Sequence, residues 1–435
     1  MWMAAWIDIS AHAAGLVDTG QDRCYDNVAE IPCPRPGEDF FGQDGQYQGT
    51  QPGYRDNDDG TISDLNTHLM WSKAVESRKV SLDEAESIAR NMKLGGFSDW
   101  RVPGIKELYS LIDFRGYTGL GPMHEVPANA VPFINTDYFD FRYGHTVQGE
   151  RYIDAQWLSS TRYVSTTMLG DRTLFGVNFA DGRIKGYGYR RPGMQEDAKR
   201  FFARYVRGPA YGVNRFEDHG DGTVSDLSTG LLWDKNDSGK GMNWEEALAY
   251  AAHLRLAGYD DWRLPNAKEL QYIVDYTRSP DTTHSPAIDP IFLTTAITNE
   301  AGQRDFPYFW TSTTHLDGPH PGSQAVYVAF GRAIGQMRGR ILDVHGAGAQ
   351  RSDPKTGTPR LGHGPQGDAQ RMANFVRVVR GGNVALLTSR SLQNQERYPN
   401  NVHRDATSSP GQDPAFQSKQ RGAGVARTIP PPLHK

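Results

Sequence analysis

Asp59-Gly60-Thr61-Ile62-Ser63-Asp64-Leu65 returns as Asp221-Gly222-Thr223-Val224-Ser225-Asp226-Leu227, 162 residues further along the chain. The same offset carries Trp71-Ser72-Lys73 onto Trp233-Asp234-Lys235. It also carries Asp99-Trp100-Arg101-Val102-Pro103 onto Asp261-Trp262-Arg263-Leu264-Pro265, and Lys106-Glu107-Leu108 onto Lys268-Glu269-Leu270. Four motifs that hold one spacing mean a duplicated folding unit. Later matches drift, as loops allow. Trp157-Leu158-Ser159-Ser160-Thr161 aligns with Trp310-Thr311-Ser312-Thr313-Thr314, and Val177-Asn178-Phe179 with Val328-Ala329-Phe330. Arg204-Tyr205-Val206-Arg207-Gly208 aligns with Arg377-Val378-Val379-Arg380-Gly381. The chain therefore divides into a leader and cysteine-loop segment (1–49), a first copy (50–208), a second copy (212–382) and a tail (383–435).

Within each copy the local signals repeat. Ser81-Leu82-Asp83-Glu84 is a capping box, and Leu82, Ala85, Ile88, Ala89 and Met92 follow at helical spacing up to Gly95-Gly96. Asn243-Trp244-Glu245-Glu246 opens the second copy's counterpart, with Ala247, Leu248, Ala251 and Leu254 on the apolar face and an end near Gly258. A second helix follows each Trp-Arg-x-Pro. Asn266 caps it in the second copy ahead of Leu270, Ile273 and Val274; Gly104 takes the cap position in the first, ahead of Ile105, Leu108, Leu111 and Ile112. Leu69-Met70-Trp71 and Leu231-Leu232-Trp233 read as first strands, and Phe175-x-Val177-x-Phe179 and Val326-x-Val328-x-Phe330 alternate with period two. Strand, helix, helix, several strands predicts an α+β fold with a mainly antiparallel sheet and two helices per copy.

Composition narrows the function. A chain of 435 residues is more than one compact core usually holds. A formal net charge of -4 supplies no global attraction to a polyanion, so any such site needs local clustering. No nucleic-acid module, Walker A sequence or dinucleotide fingerprint appears. Ser159-Ser160 and Ser312 fall on predicted strands without a nucleophile elbow. The 13 histidines show no metal-protease spacing. These readings predict a protein without catalytic residues, no nucleic-acid partner and no membrane span, since no run of 18 apolar residues occurs. The two cysteines, Cys24 and Cys33, lie before the first copy in a stretch rich in Gly, Pro and Asp. They read as a small disulfide loop, with two unrelated thiols as the alternative, and a disulfide implies an oxidising compartment. Met1 to Ile7 is apolar and Ala11-His12-Ala13 fits a signal-peptidase site, although Asp8 interrupts it and no basic residue precedes it. Residues 384–435 carry seven Lys/Arg against three Asp/Glu and no hydrophobic period, which reads as a disordered, weakly basic tail.

The motif set resembles the Lcl C-terminal domain family, named after the C-terminal domain of a bacterial collagen-like adhesin. The resemblance rests on Asp-Gly-Thr-x-Ser-Asp, Leu-x-Trp, Asp-Trp-Arg-x-Pro-x-x-Lys-Glu-Leu, Trp-x-Ser-(Ser/Thr)-Thr and the closing Val-Arg-Gly, in two copies over about 50–382. The lead-in Thr19 to Tyr25, with Gly42-Gln43-Asp44-Gly45, resembles the segment that often precedes such domains. The resemblance implies an extracellular, periplasmic or cell-surface protein and, for the named adhesin, binding of sulfated glycans. No Gly-x-y collagen stretch is present, so a collagen stalk is not implied. Trp-Arg-x-Pro before an amphipathic helix is also similar to C-type-lectin-like folds and to formylglycine-generating enzymes. Those enzymes need reactive cysteines within the domain, and neither copy holds one. The expectation is two tandem C-type-lectin-like modules that bind an acidic polysaccharide or another surface partner. A structural cell-envelope module without a small ligand is the alternative.

Three groups of residues are candidates for that contact. Asp56, Asp58, Asp59 and Asp64, and Asp218, Asp221 and Asp226, cluster at glycine turns and could ligate calcium. The EF-hand pattern fails at its first position, which is Arg55 or Glu217, and His219 occupies the third in the second copy; Asx-capped turns are the competing reading. Trp157 and Trp310, flanked by Ser and Thr, could stack on sugars, whereas recurrence of tryptophans at 71, 100, 233 and 262 points to core packing. Arg183, Lys185, Arg190 and Arg191, with Arg332, Arg338 and Arg340 in the same region of the second copy, form basic loops suited to sulfate or carboxylate. Arg204/Arg207 and Arg377/Arg380 are expected to hold the closing strand through ion pairs.

Overall fold

The computed structural model describes residues 15–193 and 199–387. The apolar start with Ala11-His12-Ala13 and the tail from 388 onward lie outside those residues.

In the first copy β1 (Tyr54–Asp56), β2 (Thr61–Asp64) and β3 (Met70–Ser72) form an antiparallel meander. Its first tip turns at Gly60, whose φ of 84° suits a residue without Cβ. Helix α1 (Leu82–Asn91) starts on the Ser81/Glu84 capping box and buries Leu82, Ala85 and Ala89. It ends at Met92, before the Gly-Gly pair expected to stop it. Gly95 and Gly96 instead turn the chain so that Leu94 and Phe97 pair. After α2 (Ile105–Ser110) come three longer strands, β4 (Gln156–Thr167), β5 (Asp171–Asn178) and β6 (Arg183–Arg190). The closing β7 (Val206–Arg207) returns to β3 with Val206 opposite Trp71.

The second copy repeats this order. It runs β8 (Phe216–Asp218), β9 (Thr223–Asp226), β10 (Leu231–Asp234), α3 (Trp244–His253), α4 (Ala267–Tyr272), β11 (Tyr308–His315) and β12 (Gln324–Ala329). A hairpin, β13 (Ile334–Met337) and β14 (Arg340–Asp343), is then inserted before β15 (Gln350–Pro354). A second inserted hairpin, β16 (Arg360–His363) and β17 (Asp368–Gln370), precedes the closing β18 (Val379–Gly381). Val379 faces Trp233 as Val206 faces Trp71. The Trp-Arg-x-Pro segment joins the same junction: Arg101 exchanges two backbone hydrogen bonds with Val206, and Arg263 does so with Val379. Motifs more than 100 residues apart recur together because they are hydrogen-bonded neighbours.

One sequence alignment needs correction. The Leu158 amide donates to the Phe202 carbonyl as the Trp310 amide donates to that of Phe375. Likewise the Ser159 hydroxyl donates to Phe175 O as that of Thr311 donates to Val326 O. Trp310 is therefore equivalent to Leu158, and Trp157 to Phe309. The match of the two tryptophans was one residue out of register, and on a strand a one-residue slip exchanges the two faces.

The architecture is α+β, mainly antiparallel, with four α-helices among the described residues. The two copies are not beads on a string. Ile184 of β6 pairs with Gln350 of β15, which fuses three strands from each copy into one six-stranded sheet. A single buried cluster contains Trp71, Leu108 and Phe114 together with Leu270, Phe309 and Val379. Cys24 and Cys33 are disulfide-bonded, in a segment that lies on the second copy. There Gln21 exchanges two hydrogen bonds with the Thr314 backbone, at 2.8 and 2.9 Å. Ala385–Leu386, at the start of the expected tail, pairs with Tyr47–Gln48.

Candidate functional site

The acidic loops are turn machinery. The Asp56 carboxylate accepts from Lys73 Nζ at 2.5 Å and from the Asp58 amide at 3.0 Å. Asp59 accepts from the amide and hydroxyl of Thr61, and Asp64 caps the amides of Asn66 and Thr67. In the second copy Asp218 pairs with Lys235, Asp221 caps Thr223, and Asp226 accepts from Asn214, Arg215 and Ser228. These are Asx turns. Asp64 and Asp226 are buried in the meander away from the loop tips. Among the described residues no group of three or more His, Cys, Asp or Glu is placed to hold a metal ion. Asp56, Asp58, Asp59, Asp64, Asp218, Asp221 and Asp226 are not brought into such a group.

Trp157 and Trp310 are both 0% exposed. Trp157 packs against Phe179 and Phe202, and the Trp310 indole donates to Met242 O at 2.9 Å. Neither ring offers a face to a sugar. Trp71, Trp100, Trp233 and Trp262 are likewise core residues.

The basic residues separate into two kinds. Arg183 and Lys185 do not form an exposed loop. Their strand β6 lies beside β15, and they meet Asp181, with Arg183 also reaching Asp317. Arg351 of β15 joins from the second copy and binds Asp368, which also holds His345. Three cations thus face three carboxylates. Burial pushes the Lys185 ammonium down to about 8 even against Asp181, and pushes His345 down to about 4. Asp181 is held below the usual carboxylate range despite its burial, because Lys185 and Arg183 flank it. This network joins the copies and has no charge left over for a ligand. Arg332 is buried on Asp281 and Asp305 for the same reason. Arg190 ends β6 and Arg191 follows it, near Asp83 and Asp171. The closing-strand arginines also divide. Arg207 and Arg380 pair with Asp99 and Asp261 as expected. Arg204 and Arg377 instead donate to backbone carbonyls, those of Ser72, Lys73 and Asp140, and of Asp234, Lys235 and Leu293.

Arg338 and Arg340 are different. They sit at the tip of the inserted β13–β14 hairpin, both exposed. Arg338 (φ 51°) and Gly339 (φ 74°) form a two-residue turn between the paired Met337 and Arg340, a type I′ geometry that favours Asn or Gly. β13, β14, β16 and β17 make a separate four-stranded sheet that the first copy lacks. Only four residues join β5 to β6, whereas 20 join β12 to β15. Arg360, on its far edge strand, is exposed as well and contacts Gln370. Cross-strand register puts Arg340, Met337, Gly335, Asp368, Gln370 and Arg360 on one face. The carboxylates of this region are all engaged by other partners or buried. Asp343 takes the Tyr163 hydroxyl and the Gly346 amide, Asp353 is 1% exposed, and Asp368 is engaged by Arg351. Among the described residues no carboxylate forms an ion pair with Arg338, Arg340 or Arg360. Sequence reasoning missed Arg360 and Arg351. The available signal was the unequal spacing between equivalent strands in the two copies.

The Lcl C-terminal domain model matches residues 60–207 and 222–343, together more than half of the chain. The protein belongs to the Lcl C-terminal domain family and carries the domain in two tandem copies. Neither the curated proteins nor the solved structures gave a match. The second hairpin of the inserted sheet lies beyond the matched residues.

Proposed function

We propose that this is a non-enzymatic, extracellular, periplasmic or cell-surface binding protein whose lectin-like copies present the inserted sheet to acidic, sulfated glycans. The observation that carries this reading is the unpaired, exposed Arg338/Arg340 turn with Arg360 on the same sheet face. A guanidinium binds sulfate or carboxylate through paired N–H groups. Arg338 also holds a left-handed backbone that costs about 1 kcal/mol for a residue with Cβ. A site-specific use for its charge would justify that cost. The Cys24–Cys33 disulfide supports an oxidising compartment. Most of the acidic-turn carboxylates are engaged by neighbouring amides, hydroxyls or lysines, and the binding is proposed to need no calcium.

The test is retention on immobilised heparin over a salt gradient, with and without EDTA. The wild-type chain is expected to bind, to elute earlier as salt screens the arginines, and to be indifferent to EDTA. Arg338→Ala with Arg340→Ala should weaken binding about tenfold, roughly 1.4 kcal/mol. Retention unchanged by the double substitution would reject the site, and no retention at low salt would leave the structural cell-envelope role.

A further inference from the structure

The duplication allows each surface of one copy to be compared with its counterpart in the other, and one pair differs. In the second copy Thr313 Oγ1 accepts from the Ala267 amide at 2.9 Å and donates to the Asp44 carboxylate at 2.5 Å. Asp44 also takes the Thr19 hydroxyl at 2.8 Å. Tyr47 lies against Arg263, whose side chain is 5% exposed in its ion pair with Glu269. The neighbouring backbone of Phe114, after α2, donates to Thr19 O. The chain's own segments 17–21 and 43–47 thus cover this surface of the second copy.

The first copy has the same surface without that cover. Thr161 Oγ1 accepts from the Ile105 amide at 2.9 Å, as Thr313 does from Ala267. No acceptor for its own hydroxyl proton is found among the described residues. Arg101 makes the matching bidentate pair with Glu107, yet its side chain is 40% exposed. The linker Tyr211–Asn214 fills part of the space, with Gly212 O and Asn214 Oδ1 taking Lys106 Nζ as Asp18 O takes Lys268 Nζ. What remains is an open cavity of about 450 Å³, lined by Gly104, Thr161, Val213, Asp275 and Tyr276 among others. Asp275 is equivalent to Asp113, which contacts the Thr19–Gly20 side of the covered site.

We propose that this cavity is a docking site for a polypeptide segment of another protein, seated on the first copy as residues 43–47 are seated on the second. The occupant presents a hydrogen-bond acceptor, an Asp or an amide side chain, to Thr161 Oγ1 and an aromatic ring to Arg101. Asp275 and Asp289 also line the cavity, so an occupant bearing several carboxylates is disfavoured. A polysaccharide is the competing macromolecule and is an outcome of the test.

The probe is a capped synthetic peptide with the sequence of residues 40–48, Phe-Phe-Gly-Gln-Asp-Gly-Gln-Tyr-Gln, titrated calorimetrically into the full chain. Saturable binding at one site is expected, with loss of affinity of at least tenfold in Thr161→Val. Val213→Trp, at a rim position that is 60% exposed and therefore safe for folding, should block the cavity to the same degree. Binding that survives both substitutions, equal binding of a scrambled peptide, or heparin fragments binding there in place of the peptide would overturn the proposal.

Discussion

Asp44 shows how one residue links the leader to the second copy. Burial raises its carboxyl to about 7, and Asp18 adds to the shift. Its native state therefore holds a proton that the unfolded chain releases near 4, so this group makes stability fall as pH rises from about 4 to about 7 and level off above. An asparagine side chain at this position would keep both hydroxyl contacts without ionising. Asp44→Asn is expected to shrink the loss of melting temperature between pH 5 and pH 8, and an unchanged pH profile would show that Asp44 does not titrate there. This role was not legible in the sequence, where Gly42-Gln43-Asp44-Gly45 marked only a lead-in. The buried tryptophans were legible, since large aromatics recurring in both copies must fill equivalent cores. The slip that paired Trp157 with Trp310 arose because a Ser/Thr run tolerates either register in sequence, whereas the strand places the two indoles on opposite faces.

At the level of elements the capping signals were decisive. Asn243 and Asn266 accept from the third helical amide, as their sequence positions foretold. Gly104 has no side chain to do so: Thr161 Oγ1 serves the first amide of α2, just as Thr313 serves that of α4, and the third amide of α2 has no side-chain cap. A Cβ at Gly104 would meet nothing closer than 3.5 Å, and its φ of -68° is ordinary. Gly104→Asn should therefore stabilise the fold by a few tenths of a kcal/mol, ~0.5, readable as a shift in the urea midpoint; destabilisation would mean that the cavity beside it resists filling. The basic loops were only half legible. Charge and glycine content pick out Arg183, Lys185 and Arg332 as readily as Arg338 and Arg340. Partners far along the chain, Asp317 and Asp281 among them, decide which of these are neutralised. The inserted sheet lay hidden in an unequal spacing read as loop drift.

The whole molecule turns a tandem duplication into one body. Sequence repeats announce two units but say nothing of how their edges meet, because a single strand pairing, Ile184 with Gln350, needs no distinctive residue. Around that seam lie the shared apolar cluster and the Arg183–Asp317 and Lys268–Ser110 contacts, each joining one copy to the other. Splitting the copies would expose both a sheet edge and buried charges, which is costly on both counts. Differential scanning calorimetry of the intact chain addresses this most directly. The fused sheet predicts one cooperative transition whose calorimetric and van't Hoff enthalpies agree, and two resolved transitions, one for each copy, would contradict it.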